Sequence, residues 1–406
     1  MIKLSDRIVN LNESDTLKMA ALARQLQTQG VKVINLSLGE PDFDTPDHIK
    51  AAAKQAIDDN YSHYTPVSGY LDVRQAIVQK LKRDNGLDYT PDQIVISTGA
   101  KQSIANVVLC LVNPGEEVLL PSPYWVSYAA QVELAEGIST EIPASLENGF
   151  KITAEQLEEA IKPNTKLIIF SSPCNPTGAV YSKEELRGLA EVIARHDNLY
   201  VVADEIYEYI NYVGKHESLA QFDFVKDRVI TVNGLSKGFA MTGWRLGYIA
   251  APLAIAKACD KMQGQFTSAT CSIAQRAAIA ALTGDLTPTF AMRDAFKKRR
   301  DLMLELLKEI PGFITDIPDG AFYVFPDVSY YLGKTDGETV ITNTDDLSMY
   351  LLHKAHVSTV NGQAFGNEKC IRISYATSEE NIREACQRMK TQLARLGSTT
   401  GEAKSI

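Results

Sequence analysis

The chain has 406 residues, 45% hydrophobic and 22% charged. That is ordinary globular composition, enough for about two to three domains, and it excludes a disordered, collagenous or coiled-coil chain. Acidic residues outnumber basic ones, 50 against 41, for a net charge of −9, which argues against a phosphate-backbone binder. The densest basic run, Lys297 to Arg300, reads as a solvated helix face. Six cysteines show no CxxC spacing and no zinc-type Cys/His cluster, so no metal is expected and a reducing compartment fits. The charged N-terminus has no apolar signal core, and the long uncharged stretch 118–132 contains two prolines. A soluble cytoplasmic protein is the expectation.

In chain order, Lys18 to Gln29 has a helical pattern and Val33 to Leu38 a strand pattern. Thr45-Pro46 reads as a helix start, with Thr45 as N-cap and Pro46 at the first helical position. Apolar strand runs then alternate with helices. The strands are Gln93 to Ser97, Glu117 to Leu120, Lys166 to Ser171, Leu199 to Ala203, Val229 to Val232 and Leu246 to Ala250. The helices include Gln102 to Leu111, Ser182 to Arg195 and Ile273 to Leu282, with Ser182 and Glu185 forming a capping box. This alternation predicts an α/β fold with a mainly parallel sheet covered by helices. After residue 288 the pattern changes. A long helix, Phe290 to Glu309, leads to short strands at Ala321 to Phe325, His356 to Val360 and Lys369 to Tyr375, and a capped helix, Ser378 to Leu396. The expected division is an N-terminal segment 1–45 joining the small domain, a large domain 46–287 and a small α+β domain 288–406.

Open parallel sheets bind ligands beyond the carboxyl ends of their strands. The residues that follow those ends are Gly99-Ala100, Trp125, Asn175, Asp204 with Tyr207, and Ser236-Lys237. Lys237 is the only charged side chain between Arg228 and Arg245, and it sits among glycines and apolar residues. Desolvation there lowers a lysine pKa, and Schiff-base chemistry needs a neutral amine. Asp204 ends an apolar strand. It is either a helix cap or a buried anion paired with a cation such as a protonated pyridine. Gly99-Ala100 opens a helix, and Arg245 offers a fork; both suit a phosphate. Arg372 alternates with Ile371 and Ile373. It is either a solvent-facing strand arginine or a clamp for a carboxylate. GxGxxG and P-loop fingerprints are absent, which disfavours a nucleotide-binding reading.

The segments Ser-Pro-Cys-Asn-Pro-Thr-Gly (172–178), Ala-Asp-Glu-Ile-Tyr (203–207) and Gly-Leu-Ser-Lys-Gly-Phe-Ala-Met-Thr-Gly-Trp-Arg-Leu-Gly (234–247) resemble class I pyridoxal-phosphate aminotransferases. So do Leu36 to Phe43 and Arg372 to Ala376. The resemblance spans nearly the whole chain and is greatest to prokaryotic-type aspartate aminotransferases. It implies fold type I, with a seven-stranded, mainly parallel sheet in the large domain. It implies that Lys237 forms the internal aldimine and carries protons, Asp204 pairs with the pyridine nitrogen, and Tyr207 and Asn175 reach the ring oxygen. Trp125 would stack on the ring, while Gly99, Ala100, Ser236 and Arg245 hold the phosphate. Tyr64 would reach the phosphate of the other subunit in a homodimer. Arg372 would clamp the substrate α-carboxylate, aided by Gly39, Asn175 and Trp125. Lys101 would take a distal carboxylate, and Ser14 and Thr16 belong to a segment that closes over the substrate.

One departure is Gly234, where some relatives carry a phosphate-binding serine. Relatives that use prephenate tend to have a basic residue at the position of Asn12. The expected reaction is L-aspartate with 2-oxoglutarate, giving oxaloacetate and L-glutamate. The alternatives are an aromatic, kynurenine or prephenate aminotransferase, a C–S β-lyase of the same fold, and a non-enzymatic regulator. The last would need a DNA-binding module.

Overall fold

The computed structural model describes residues 2–11 and 13–398. Its centre is a seven-stranded sheet. In chain order the strands are β1 (Ile94–Ser97), β2 (Glu117–Ser122), β3 (Ile138–Pro143), β4 (Thr165–Ser171), β5 (Tyr200–Asp204), β6 (Val229–Gly234) and β7 (Gly247–Ala250). Across the sheet they run β1-β7-β6-β5-β4-β2-β3. β2 to β6 pair in parallel, and β7 alone is antiparallel to both neighbours. Interior strands bury both faces, so they read as continuous apolar runs, and each of the six predicted strands is found within about two residues of its expected ends.

β3 is absent from the strand-like runs of the sequence. It lies at the sheet edge and exposes most of its residues, so no apolar run marks it. Two hydrophobic cores flank the sheet. One contains Val73, Ile77, Leu119 and Phe239, and the other contains Val95, Val107, Val118 and Ile249.

The Ser182–Glu185 capping box is formed in both directions, at 3.2 and 2.7 Å. The Thr45 cap is not. The helix starts at Asp47 after an extended Pro46, and the Thr45 hydroxyl instead donates to the Ala240 carbonyl at 2.7 Å. A tertiary partner has taken the side chain that would have capped the helix.

A third core gathers Ile34 and Leu36 with Phe296, Val324, Leu351, Ile373 and Met389. The expected strand His356 to Val360 is two strands. Val357–Ser358 pairs in parallel with Ile34–Asn35, whereas Val360–Asn361 pairs antiparallel with Ile371–Ser374. The chain changes partner at the fully buried Thr359, and propensity carries no sign of that switch. Ile371–Ser374 is the middle strand of a three-stranded sheet whose other edge is Tyr323–Val324. All six cysteines are unpaired; four are buried and Cys271 is exposed. Among the described residues no helix is long and apolar enough to cross a membrane.

Candidate active site

A cavity of about 470 Å³ opens at the carboxyl ends of the central strands. Asp204 is the last residue of β5 and Asn175 follows β4. Lys237 follows β6, and Ala100 and Trp125 follow β1 and β2. Arg372 enters from Ile371–Ser374, and Gly39 from the chain after Ile34–Asn35. Lys101, Thr16, Ser14, Tyr207, Ser236 and Arg245 also face the cavity. Two of the expected residues do not line it. Gly99 sits just behind Arg245, and Tyr64 is 98% exposed elsewhere on the surface.

Lys237 is half-buried, and its Nζ donates to the Gly39 carbonyl. Burial lowers its pKa to about 8, helped by the charges of Arg372 and Arg245 and opposed mainly by Glu40. The protein free of cofactor therefore presents a neutral amine far below the usual pH for lysine. Covalent capture of an aldehyde, trapped by borohydride, is expected to rise with pH through a midpoint near 8. A midpoint near 10.5 would contradict this environment.

Asp204 is buried, and burial pushes its carboxyl up to about 6. Two donors oppose that rise: the Tyr128 hydroxyl to Oδ2 at 2.7 Å and the Ile206 amide to Oδ1 at 3.2 Å. A buried anion of this kind calls for a cationic partner.

Arg372 is only 1% exposed, so the solvent-facing alternative is excluded. Its Nη1 donates to Asn175 Oδ1 at 2.9 Å and its Nη2 to the Ser37 carbonyl at 2.6 Å. Its guanidinium carbon lies 4.6 Å from the centre of the Tyr323 ring, and its Nε has no partner. The Thr16 and Ser171 hydroxyls are also buried without a partner at this cavity. A buried guanidinium whose Nε is still unsatisfied suits a carboxylate ligand.

Gly99 has φ +84° and caps the helix Ala100–Leu111; a Cβ there would lie 2.5 Å from Arg245 Nη2. The bare backbone thus keeps a guanidinium beside a helix N-terminus, the standard chemistry of a phosphate cradle. Gly234 is explained in the same way. A Cβ at that point would fall 2.8 Å from the Leu246 carbonyl, so the serine of some relatives has no room here.

The Tyr207 hydroxyl shares a 2.8 Å hydrogen bond with Tyr323. Trp125 meets Tyr128 edge to face at 5.5 Å, and Lys101 Nζ lies 5.0 Å over the Trp125 ring. Burial and then the Arg245 charge lower the Lys101 pKa. Sequence reasoning missed Tyr128, Tyr323, Glu40 and Arg24, all of which face the cavity. The two tyrosines look like ordinary core aromatics in sequence. Glu40 and Arg24 look like surface charges. Asn12 lies outside the described residues.

A family model for aminotransferases of class I and II matches residues 31–389. The aspartate/prephenate aminotransferase of Cereibacter sphaeroides is 45% identical, over 98% of this chain and 100% of its own. The solved aspartate aminotransferase of Rhizobium meliloti superposes with a TM-score of 0.94 at 41% identity, covering 98% of this chain and 100% of that one. That of Thermus thermophilus with maleate has a TM-score of 0.91 at 39% identity, covering 97% and 100%. A parallel sheet ending in a desolvated lysine, a buried aspartate and a buried arginine, matched over the whole chain, has one family reading: the chain belongs to the class I and II aminotransferases.

Proposed function

We propose that the protein transfers the amino group of L-aspartate to 2-oxoglutarate, giving oxaloacetate and L-glutamate, with pyridoxal 5′-phosphate as cofactor. The observation that carries this reading is the convergence of Lys237, Asp204 and Arg372 on one cavity. The residues fit the cofactor. Lys237 is a neutral-prone amine for its aldehyde, Asp204 an anion for its ring nitrogen, and Arg245 with the Gly99-Ala100 helix start a cradle for its phosphate. When bound, the cofactor supplies an electron sink for the bond broken at the substrate Cα.

The rest of the work falls to the chain. Arg372 and Asn175 fix the α-carboxylate, and so decide which bond at Cα is presented for cleavage. Lys237 Nζ accepts the Cα proton as general base, and returns a proton to Cα when the oxo acid runs the sequence in reverse. Asp204 holds negative charge against the ring nitrogen. Ser236 adds to the phosphate cradle, Trp125 offers a flat face for the ring, and Tyr207 offers its hydroxyl to the ring oxygen. The Gly39 carbonyl, which accepts from Lys237 here, steers the amine and borders the carboxylate pocket.

Lys101 and Thr16 suit the distal carboxylate of a dicarboxylic substrate. Lys101→Ala is expected to lower kcat/KM for L-aspartate about 10- to 100-fold, the range for a charge-assisted hydrogen bond, while moving an aromatic amino acid less than about threefold. Equal losses for both would remove Lys101 from this role. Prephenate is a second acceptor to assay, because the Cereibacter relative is an aspartate/prephenate aminotransferase.

Residues 46–287 act as the large domain, with 288–406 and the N-terminal 1–45 forming the small one. We also infer a homodimer. The ring of Tyr64 is almost fully exposed in the single chain, which suits a residue that reaches the phosphate in a partner subunit. Sedimentation of the holoenzyme tests this; a monomer at working concentration would contradict it.

A further inference from the structure

We propose that Tyr128 is a positioning residue for Asp204, its buried hydroxyl holding the carboxylate anionic and oriented toward the ring nitrogen of the cofactor. This rests on the pyridoxal-phosphate reading. Tyr128 belongs to the helix Ser127–Leu134, borders the cavity and is 0% exposed. Its ring is braced edge to face by Trp125. Its hydroxyl is the only side-chain donor to Asp204 among the described residues, at 2.7 Å on Oδ2.

Each carboxylate oxygen thus has one fixed donor, Tyr128 on Oδ2 and the Ile206 amide on Oδ1. A carboxylate has about four acceptor positions, so acceptor capacity remains free for a ligand. The other titratable groups that act on Asp204 are Glu205, Lys237, Cys174 and Tyr207. Glu205 repels the anion, and Lys237 attracts it only through space, because its amine donates to the Gly39 carbonyl. Burial works against the anion as well. Among the described residues Tyr128 is therefore the one side chain that offsets burial through a hydrogen bond. Its own phenol pKa is raised well above the normal value by burial and by Asp204, so it stays protonated and remains a donor. Without it the acid would be neutral at higher pH, and a neutral acid cannot stabilise a protonated ring nitrogen.

The test is a double-mutant cycle on the holoenzyme with Tyr128→Phe, Asp204→Asn and the pair. Tyr128→Phe keeps the ring and its packing. It is expected to lower kcat for L-aspartate about 10- to 100-fold, the range for a hydrogen bond to a charged group, with KM within about threefold. The acid limb of the pH profile moves to higher pH, because the anion is lost sooner as pH falls. The dissociation constant for pyridoxal 5′-phosphate, measured by equilibrium dialysis, rises in step. In the Asp204→Asn background the same change costs less than about threefold, since the hydroxyl then has no anion to hold. Independent, multiplicative losses, or a Tyr128→Phe enzyme with wild-type kcat and pH profile, overturn the role of Tyr128 alone. A wild-type protein that holds no pyridoxal 5′-phosphate overturns the parent reading as well. If Tyr128→Phe does not fold, Tyr128→His, which retains a ring N–H donor, takes its place. It is expected to stay within about tenfold of wild type, and a loss equal to that of Asp204→Asn overturns the proposal.

Discussion

Replacing Lys237 with alanine is expected to abolish turnover, by about 10⁴-fold or more. General-base catalysis alone contributes about 10²- to 10⁴-fold, and the same amine is also the covalent nucleophile. Neither role has a substitute nearby. Of the other cations at the cavity, Arg372, Arg245 and Arg24 do not give up a proton, and Lys101 is the one we assign to a distal carboxylate. The loss is specific to chemistry. Asp204 and the Arg245–Gly99 cradle are untouched by the substitution, so Lys237→Ala is expected to bind pyridoxal 5′-phosphate without a covalent bond. Dialysis against the cofactor, with and without borohydride, separates the two forms. A fully active Lys237→Ala enzyme would refute the mechanism.

The second large effect is at Arg372. Arg372→Ala is expected to lower kcat/KM for every amino-acid and oxo-acid substrate by about 10²- to 10³-fold. Loss of one member of a buried, hydrogen-bonded charge contact costs about 2–5 kcal/mol, and each 1.4 kcal/mol is a factor of ten. The geometry adds to the damage. Removing the guanidinium strips donors from Asn175 Oδ1 and the Ser37 carbonyl, both held at under 3 Å. It also leaves a void over the rings of Tyr323 and Phe365, at 4.6 and 5.0 Å from the guanidinium carbon. Arg372→Lys is expected to recover little, because an ammonium cannot fork between two acceptors. Initial rates with L-aspartate, an aromatic amino acid and 2-oxoglutarate check this. A loss confined to dicarboxylic substrates would move Arg372 from the α-carboxylate to the distal one.

The residues that meet at the cavity are legible where a polar group interrupts an apolar surrounding. Asp204 after an apolar run, Lys237 among glycines and Arg372 between isoleucines are all exceptions to their surroundings. A buried polar residue must have a reason. The positions behind them were not legible. Tyr128 and Tyr323 are aromatic residues in a helix and a strand, where core packing explains an aromatic as well as catalysis does. Only the 2.7 Å contact to Asp204 and the 2.8 Å contact to Tyr207 distinguish them.

The fold divides in the same way. Interior strands β4, β5 and β6 announce themselves by being apolar on both faces, while edge strand β3 does not. Thr45 carried a correct local signal for a cap, and a long-range contact to Ala240 overrode it. Gly234 read as a missing phosphate ligand, yet the close approach of β6 to β7 requires it. Local pattern reports what each residue prefers; it does not report what arrives from elsewhere in the chain.

The central claim is tested most directly by the absorbance spectrum of the purified holoenzyme before and after L-aspartate, with an aromatic amino acid in parallel. The account predicts that L-aspartate converts the bound cofactor from its aldehyde form to its amine form, that 2-oxoglutarate restores it, and that the aromatic amino acid does so poorly. Conversion by the aromatic amino acid alone would contradict the assignment of Lys101 and the aspartate reading. No cofactor band after addition of pyridoxal 5′-phosphate would contradict the role of Lys237 itself.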